Sequence, residues 1–325
     1  MRSLLPPNPN YTAACDFIDS PAIEPWHPVL AYITQKHQLG ESRWQRISEG
    51  GNALFRGQNA SGNGLILKLV PPNWRYQGEA EAAALSLLQN QTSLAIPSLA
   101  ASGEQDNWFY VVMNQLPGVS LADVWGGMNS AHKLYIVRQL ADFIVELHSL
   151  DLPDAHPLKP SWHQYHQKLL DDCIARHTRK QLAPQLVDQI TDYLAASPPY
   201  FDDDATFFIH MDLHPWNLMV EEKGNGYQLS GVLDFGDAVI GNSRLLELAT
   251  PLIFLCQGDP ALTATLLEHT KVLSRPADDT LQHALMATSL IRPACDFNFV
   301  LSQVPVTGPR DNWQQIAKQL FPITD

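Results

Sequence analysis

Between residues 207 and 241 the chain reads FFIHMDLHPWNLMVEEKGNGYQLSGVLDFGDAVIG. Three anchors lie in it: His210-x-Asp212, Asn217 five residues after that aspartate, and Asp234-Phe235-Gly236 seventeen residues after the asparagine. Short apolar runs at 207–209, 218–220 and 229–233 read as strands, so the polar anchors fall at strand ends. A D-x-x-x-x-N spacing arises by chance in roughly half of chains this long and D-F-G in about one in twenty, so neither piece alone is specific. Their order, with strands between them, is. A plain β-hairpin tipped by Lys223-Gly224-Asn225-Gly226 explains the turn but leaves Asp212 and Asp234 without a purpose.

The order is that of a kinase catalytic loop followed by a metal-binding D-F-G. Phosphoryl transfer asks little covalent chemistry of a protein. It needs a base aimed at the acceptor hydroxyl and metal ions that neutralise the phosphates. Asp212 is the candidate base. Asn217 offers a neutral carbonyl oxygen and Asp234 a hard anionic one, a pair of ligands suited to Mg²⁺ with waters and phosphates completing its shell.

The rest of the chain divides by pattern. Residues 26–38 read as a short helix with Trp26, Val29, Leu30 and Ile33 on one side. Candidate strands follow at 44–47, 53–56 and 65–70, separated by Gly50-Gly51-Asn52 and by NASGNG. An Ala/Leu/Glu-rich helix is expected over 78–90 and a buried-type strand over 108–115. Leu116-Pro117-Gly118 breaks that strand. From Ser130 the pattern is helical, through 163–195 with proline breaks, and again over most of 245–317. The fold class predicted is α+β and bilobed: a β-rich nucleotide-binding lobe over 1–115, a hinge at 113–119, and a mainly helical catalytic lobe over 116–325.

In the first lobe Lys68 lies in LILKLV, apolar on both sides. Burying a lysine is costly unless it meets an anion, so a phosphate or carboxylate partner is expected. Glu79 and Glu81 both open the next helix. Glu81 is preferred as that partner because Leu85 and Leu88 follow at four and seven residues, while Glu79 reads as a charge favouring the helix dipole.

Composition narrows the partners. The chain has 325 residues, 21 Lys+Arg against 34 Asp+Glu, and a net charge of −13. With 45% hydrophobic residues it has the material for a core, which excludes disorder. Its shortage of clustered basic residues argues against nucleic acid. No apolar run is long enough to span a membrane, and prolines at positions 6 and 7 interrupt the hydrophobic start, unlike a signal peptide. Cys15, Cys173, Cys256 and Cys295 stand far apart, which fits reduced thiols in a cytoplasmic protein.

With these residues in hand, the chain resembles the aminoglycoside phosphotransferase and choline kinase superfamily of protein-kinase-like small-molecule kinases. The resemblance covers roughly 40–300 and rests on GGNALFRG, LILKLV, EAAALSLL, VVMNQLPGVSL, ADFIVELHSL, IHMDLHPWN and VLDFGDAVIGNSRLLELA. It implies ATP, or GTP, and Mg²⁺ as cofactors and a small-molecule hydroxyl as acceptor, plausibly on an amine-bearing molecule such as an aminoglycoside, amino sugar or amino alcohol, with antibiotic resistance among the roles open to it. By the same resemblance Asp212 is the base, Asn217 and Asp234 the metal ligands, Lys68 the contact to the α/β-phosphates and Glu81 its ion-pair partner. Gly50, Gly51 and Asn52 would form the phosphate loop, and Met113, Asn114 and Gln115 the adenine contact. His214, Trp216, Asp237 and Asp296 are the acceptor-side candidates.

Three positions depart from the family pattern. Gly50-Gly51-Asn52 replaces a G-x-G-x-x-G loop, Met211 stands where glycine is usual, and Glu247 where aspartate is. His210 is read as holding the turn, His148 as a core or cap residue, and Asp202-Asp203-Asp204 as a solvated loop. Two rivals remain in view: a protein Ser/Thr kinase, disfavoured by only ten residues between Gly236 and Glu247, and a nucleotide-binding pseudokinase, disfavoured by the intact motif residues.

Overall fold

The computed structural model describes residues 3–40, 43–47, 51–197, 204–270 and 278–323. The architecture is α+β, in two compact units. The first comprises Met1–Gln91, Ala95–Pro117 and Val232–Asp237; the second comprises Thr92–Leu94, Gly118–Gly231 and Ala238–Asp325.

In the first unit, helices α1 (Tyr11–Asp19) and α2 (His27–Lys36) precede strands β1 (Gln45–Ile47), β2 (Ala53–Gln58) and β3 (Gly64–Val70). Helix α3 (Tyr76–Leu88) and strands β4 (Leu99–Gln105) and β5 (Trp108–Asn114) follow. The strands form one antiparallel sheet in the order β1-β2-β3-β5-β4. Side chains alternate across it, which separates two surfaces. Phe55, Leu67, Leu69, Tyr110 and Val112 pack with Trp26, Val29, Leu30 and Ile33 of the helical segment into the core, and Trp26 meets Trp108 edge-on at 5.7 Å.

The opposite surface carries Leu54, Ile66, Lys68, Val111 and Met113, in register Leu54↔Lys68↔Val111 and Ile66↔Met113. Helix α3 lies on this side at Gly78, where an added Cβ would sit 2.8 Å from the Phe109 ring. Only glycine permits that approach, and it brings Glu81, one helical turn further along, toward Lys68.

The second unit holds β6 (Val119–Ser120), the short helix α4 (Leu121–Trp125) and the long α5 (Ser130–His148). The stretch expected to be helical over 163–195 forms α6 (Trp162–Arg179), α7 (Pro184–Val187) and α8 (Ile190–Ala195), broken where Gln181 adopts φ +57° ahead of Pro184. Strand β7 (Phe207–Ile209) leads into the His210–Asp212 turn. Strands β8 (Leu218–Lys223) and β9 (Gly226–Val232) form a hairpin joined to β6, and β10 (Val239–Gly241) pairs antiparallel with β7. Helix α9 (Arg244–Pro251) then passes into a π-helical turn, Leu252–Cys256. Helices α10 (Pro260–His269), α11 (Asp279–Ile291), α12 (Phe297–Gln303) and α13 (Trp313–Leu320) complete the unit.

Sequence patterning had not singled out α1, β4 or β10. Strand β4 reads LAASGEQ, with no β-branched residue, and owes its conformation to its pairing with β5. Cys173, Cys256 and Cys295 are buried free thiols and Cys15 is a half-buried one. No described helix is long and apolar enough to cross a membrane.

Candidate functional site

Lys68 is buried, 3% exposed, on the open surface of the first unit's sheet. Its Nζ lies 2.8 Å from Glu81 Oε2 and 2.7 Å from Asp234 Oδ1. Glu79, the other acid at the start of α3, pairs instead with Arg75 at 2.7 Å, and Arg75 also meets Glu104 at 2.6 Å. Burial works against the Lys68 charge, but the carboxylates of Asp234 and Glu81 outweigh it and hold the ammonium above the ordinary lysine range. Burial raises the pKa of Glu81, and Lys68 only partly offsets it. One cation thus serves two anions, one of which, Asp234, has a side chain 46% exposed.

Asp234 adopts φ +60°, a left-handed conformation aspartate tolerates because its short side chain bonds locally. Its Oδ1 also accepts the Gly236 N–H at 3.3 Å. A Cβ at Gly236 would stand 3.2 Å from that same oxygen, a tight contact that would press the carboxylate to shift by a few tenths of an ångström. Asp237 accepts a hydrogen bond from Gln77 Nε2 at 3.0 Å, so it is tied to α3.

Of the expected phosphate loop, Gly50 lies outside the described residues. Gly51 has open space around its Cα, while Asn52 accepts a hydrogen bond from Trp74 Nε1 at 2.8 Å. In the segment expected to hold adenine, Met113 shares the Lys68 surface. The Asn114 N–H donates to Ser98 O at 3.1 Å and the Gln115 N–H to Gly64 O at 2.9 Å. Those two donors are used within the sheet, which leaves the Leu116 N–H as the next donor before Pro117.

In the second unit the turn after β7 is fixed by its backbone. Glu247, on α9 and fully buried, accepts the His210 N–H at 2.6 Å and the Met211 N–H at 3.1 Å. Burial pushes its carboxyl up to about 7, against the pull of those two N–H groups. Met211 sits at φ +72°, a region unfavourable for a side chain. Its carbonyl accepts from Thr250 Oγ1 at 2.7 Å and from Arg292 Nη1 at 3.1 Å. Both polar groups of one strained residue are therefore bonded, which is how such a conformation persists.

Asp212 follows. Its Oδ1 meets Arg292 Nη1 at 3.1 Å, and its Oδ2 meets His214 Nε2 at 3.2 Å and Asn217 Nδ2 at 3.2 Å. The Asp212 N–H donates to His210 Nδ1 at 3.2 Å, so His210 braces the turn. Burial alone would raise the Asp212 pKa, but the His214 hydrogen bond, followed by the charges of His214 and Arg292, holds it far below the usual carboxylate range. The Asn217 amide also bonds the Asp212 carbonyl at 3.0 Å, which directs its nitrogen to Asp212 and its oxygen elsewhere. Arg292 and Thr250, which also bond each other, went unremarked in the sequence.

Trp216 is 45% exposed and packs edge-on against His214 at 5.2 Å. Asp296 caps α12 through the Phe299 N–H at 3.1 Å and lies 3.6 Å from Lys180. His148 ends α5 against Phe207, and burial lowers its pKa to about 4. Asp202 and Asp203 lie outside the described residues. Among the described residues no group of three or more His, Cys, Asp or Glu forms a metal cluster by itself.

Comparison with solved structures gives the fold. The ternary complex of streptomycin, ATP and APH(2'')-IIa matches with a TM-score of 0.59 at 16% identity, covering 89% of this chain and 97% of that one. The GDP and kanamycin complex of APH(2'')-IIIa matches at 0.60 and 19%, covering 81% and 88%. Macrolide 2'-phosphotransferase MphH from Brachybacterium faecium matches at 0.55 and 18%, covering 87% and 99%. The fold is that of protein-kinase-like phosphotransferases. Residues 43–272 match the phosphotransferase enzyme family, and the chain belongs to that family.

Proposed function

We propose that the protein transfers the γ-phosphoryl group of ATP, or of GTP, to a hydroxyl of a small molecule, with Asp212 as the base. The observation that carries this reading is the Asp212 carboxylate, held at both oxygens by Arg292, His214 and Asn217 and kept ionised. So acidic a group is a weak proton acceptor. In a loose transition state the hydroxyl loses its proton late, and orienting it matters more than basicity.

Lys68, held charged between Glu81 and Asp234, is the group to meet nucleotide phosphates. The adenine would lie against Ile66 and Met113, taking a backbone hydrogen bond from Leu116. Asp234, an exposed carboxylate, and Asn217, an amide whose oxygen is turned from Asp212, would each offer an oxygen of the kind that Mg²⁺ takes. Mg²⁺, when bound, would neutralise charge on the phosphates. The net charge of −13 favours an amine-bearing acceptor, and the proteins of similar fold named above include complexes with streptomycin and kanamycin.

The test is Asp212→Asn, with ADP release followed by a coupled assay and folding by thermal melt. Turnover should fall by about 10²–10⁴-fold with the melting temperature kept. Near-normal phosphorylation by the variant would sink the assignment.

A further inference from the structure

His214 belongs to two groups at once. Its Nε2 bonds the Asp212 carboxylate, and its ring packs at near right angles against Trp216 at 5.2 Å and Phe254 at 6.3 Å. Trp216 in turn meets Phe254 at 6.0 Å and Phe299 at 6.2 Å, and Phe254 meets Phe299 at 5.8 Å. Three rings from three separate elements therefore form a continuous aromatic wall that begins beside the base. Trp216 comes from the loop after β7, Phe254 from the π-helical turn, and Phe299 from α12.

Two features set this wall apart from ordinary packing. Trp216 and Phe299 are each 45% exposed, while Phe254 behind them is 4% exposed, so the rings present their surface outward from a fixed base. Leaving two large rings that open to water is unfavourable unless something covers them. The π-helical turn that carries Phe254 is itself a rare geometry, maintained mostly where a site needs it.

The charges nearby are already matched. Asp212 is balanced by Arg292 and His214, and Asp296, the acid that caps the helix bearing Phe299, is met by Lys180 and the Phe299 N–H. Among the described residues of this set each carboxylate already has a cationic neighbour, so a substrate ammonium would have to compete for it. We infer that the acceptor presents an apolar ring face to Trp216 and Phe299 beside its reacting hydroxyl, and that aromatic stacking, not pairing of ammonium with carboxylate, supplies its recognition. This rests on the assignment of Asp212 as base and narrows the acceptor class: an amine is tolerated, but a ring face is required.

The experiment offers the full-length protein ATP, Mg²⁺ and four acceptors: a macrolide and an aryl glucoside, which carry apolar faces, and kanamycin and ethanolamine, which are dominated by charge. The macrolide or the aryl glucoside should give the highest kcat/KM. Trp216→Ala and Phe299→Ala should each raise the KM for that acceptor about tenfold while the KM for ATP stays put, and Trp216→Phe should restore most of the loss. The inference is overturned if kanamycin or ethanolamine is preferred, if neither apolar acceptor is turned over, or if both alanine variants keep the acceptor KM. ATP turnover that survives Asp212→Asn would instead count against the reading beneath it, so the two failures are distinct.

Discussion

In the first unit a buried cation is flanked by two carboxylates; in the second a carboxylate is flanked by an arginine and a histidine. Lys68 sits between Glu81 and Asp234, so that cluster carries one more negative than positive charge. Asp212 sits against Arg292 and His214, with the buried Glu247 bonding the backbone just before it. In the proposed reaction the first arrangement would keep a cation charged for anionic phosphates, and its surplus negative charge would suit a metal ion. The second keeps an anion charged and still. In both clusters the member left partly exposed is an aspartate, Asp234 in one and Asp212 in the other, and the difference lies in its company: Asp234 shares one cation with a second carboxylate, while Asp212 has an arginine and a histidine to itself.

Removing the central charge is the hardest test of this contrast. In the first cluster, Lys68→Met strands Glu81, 1% exposed, without its cation. Breaking a buried pair from one side costs about 3–5 kcal/mol, and the solvated Asp234 side chain places this case near the lower figure. The melting temperature should fall, and ADP release should drop by at least about 10²-fold. An unchanged melting point would mean that the pair contributes nothing to the fold, and the comparison would collapse on that side.

In the second cluster the corresponding change is Arg292→Gln. One nitrogen of Arg292 serves Asp212, the Met211 carbonyl and Thr250. Losing it frees the Asp212 carboxylate to turn, which should lower kcat by about 10–10²-fold with the KM for ATP unmoved. Arg292→Lys should recover part of this, since the charge returns without the planar fork. A rise in the ATP KM with kcat preserved would show that Arg292 acts elsewhere.

How far this was legible in the sequence follows the same division. Lys68 was readable because a lysine inside LILKLV must find an anion, and Glu81 because helical spacing sets it beside Leu85 and Leu88. The same reasoning, applied to HALMATSLIR at 283–292, would have marked Arg292 as a buried cation in need of a partner. It could not have named Asp212, 80 residues away, because no local period records that contact. Glu247 was noticed only as a departure from a pattern. Its two backbone bonds to residues 36 and 37 positions earlier are tertiary facts. The aromatic wall was legible only at Trp216, whose place in the catalytic loop marked it as an acceptor-side candidate; Phe254 and Phe299 look like core residues until the fold sets them beside it and exposes Phe299.

Glu247 gives a milder test, read in pH. Its folded pKa, raised to about 7, lies above the ordinary carboxylate value of 4.5. The folded state therefore binds the proton more tightly than the unfolded state does. Stability from this group is complete below about 4.5 and is lost as pH climbs through about 7. Its full span is about 3 kcal/mol, as an order of magnitude. Glu247→Gln removes the titration, so the stability difference, wild type minus variant, should shrink steadily between pH 5 and pH 8 in paired melts. A flat difference would mean that the carboxylate keeps one charge state throughout, and that its two N–H bonds hold the ionised form as firmly as those around Asp212.

The smallest effect lies at Met211, the strained residue between the two halves of that support. Its φ of +72° costs about 1 kcal/mol, while its side chain, 2% exposed, returns more than that by burial. Met211→Gly should therefore lower stability even though it relieves the backbone. Met211→Ala separates the two contributions, because alanine loses the packing and keeps the strain. Glycine should then be the more stable of the two variants by about 1 kcal/mol, the reverse of its usual order in a structured segment. If alanine proved the better residue, the left-handed turn would not be imposed by Glu247, Thr250 and Arg292. The second cluster would then lack the rigid backbone on which its difference from the first depends.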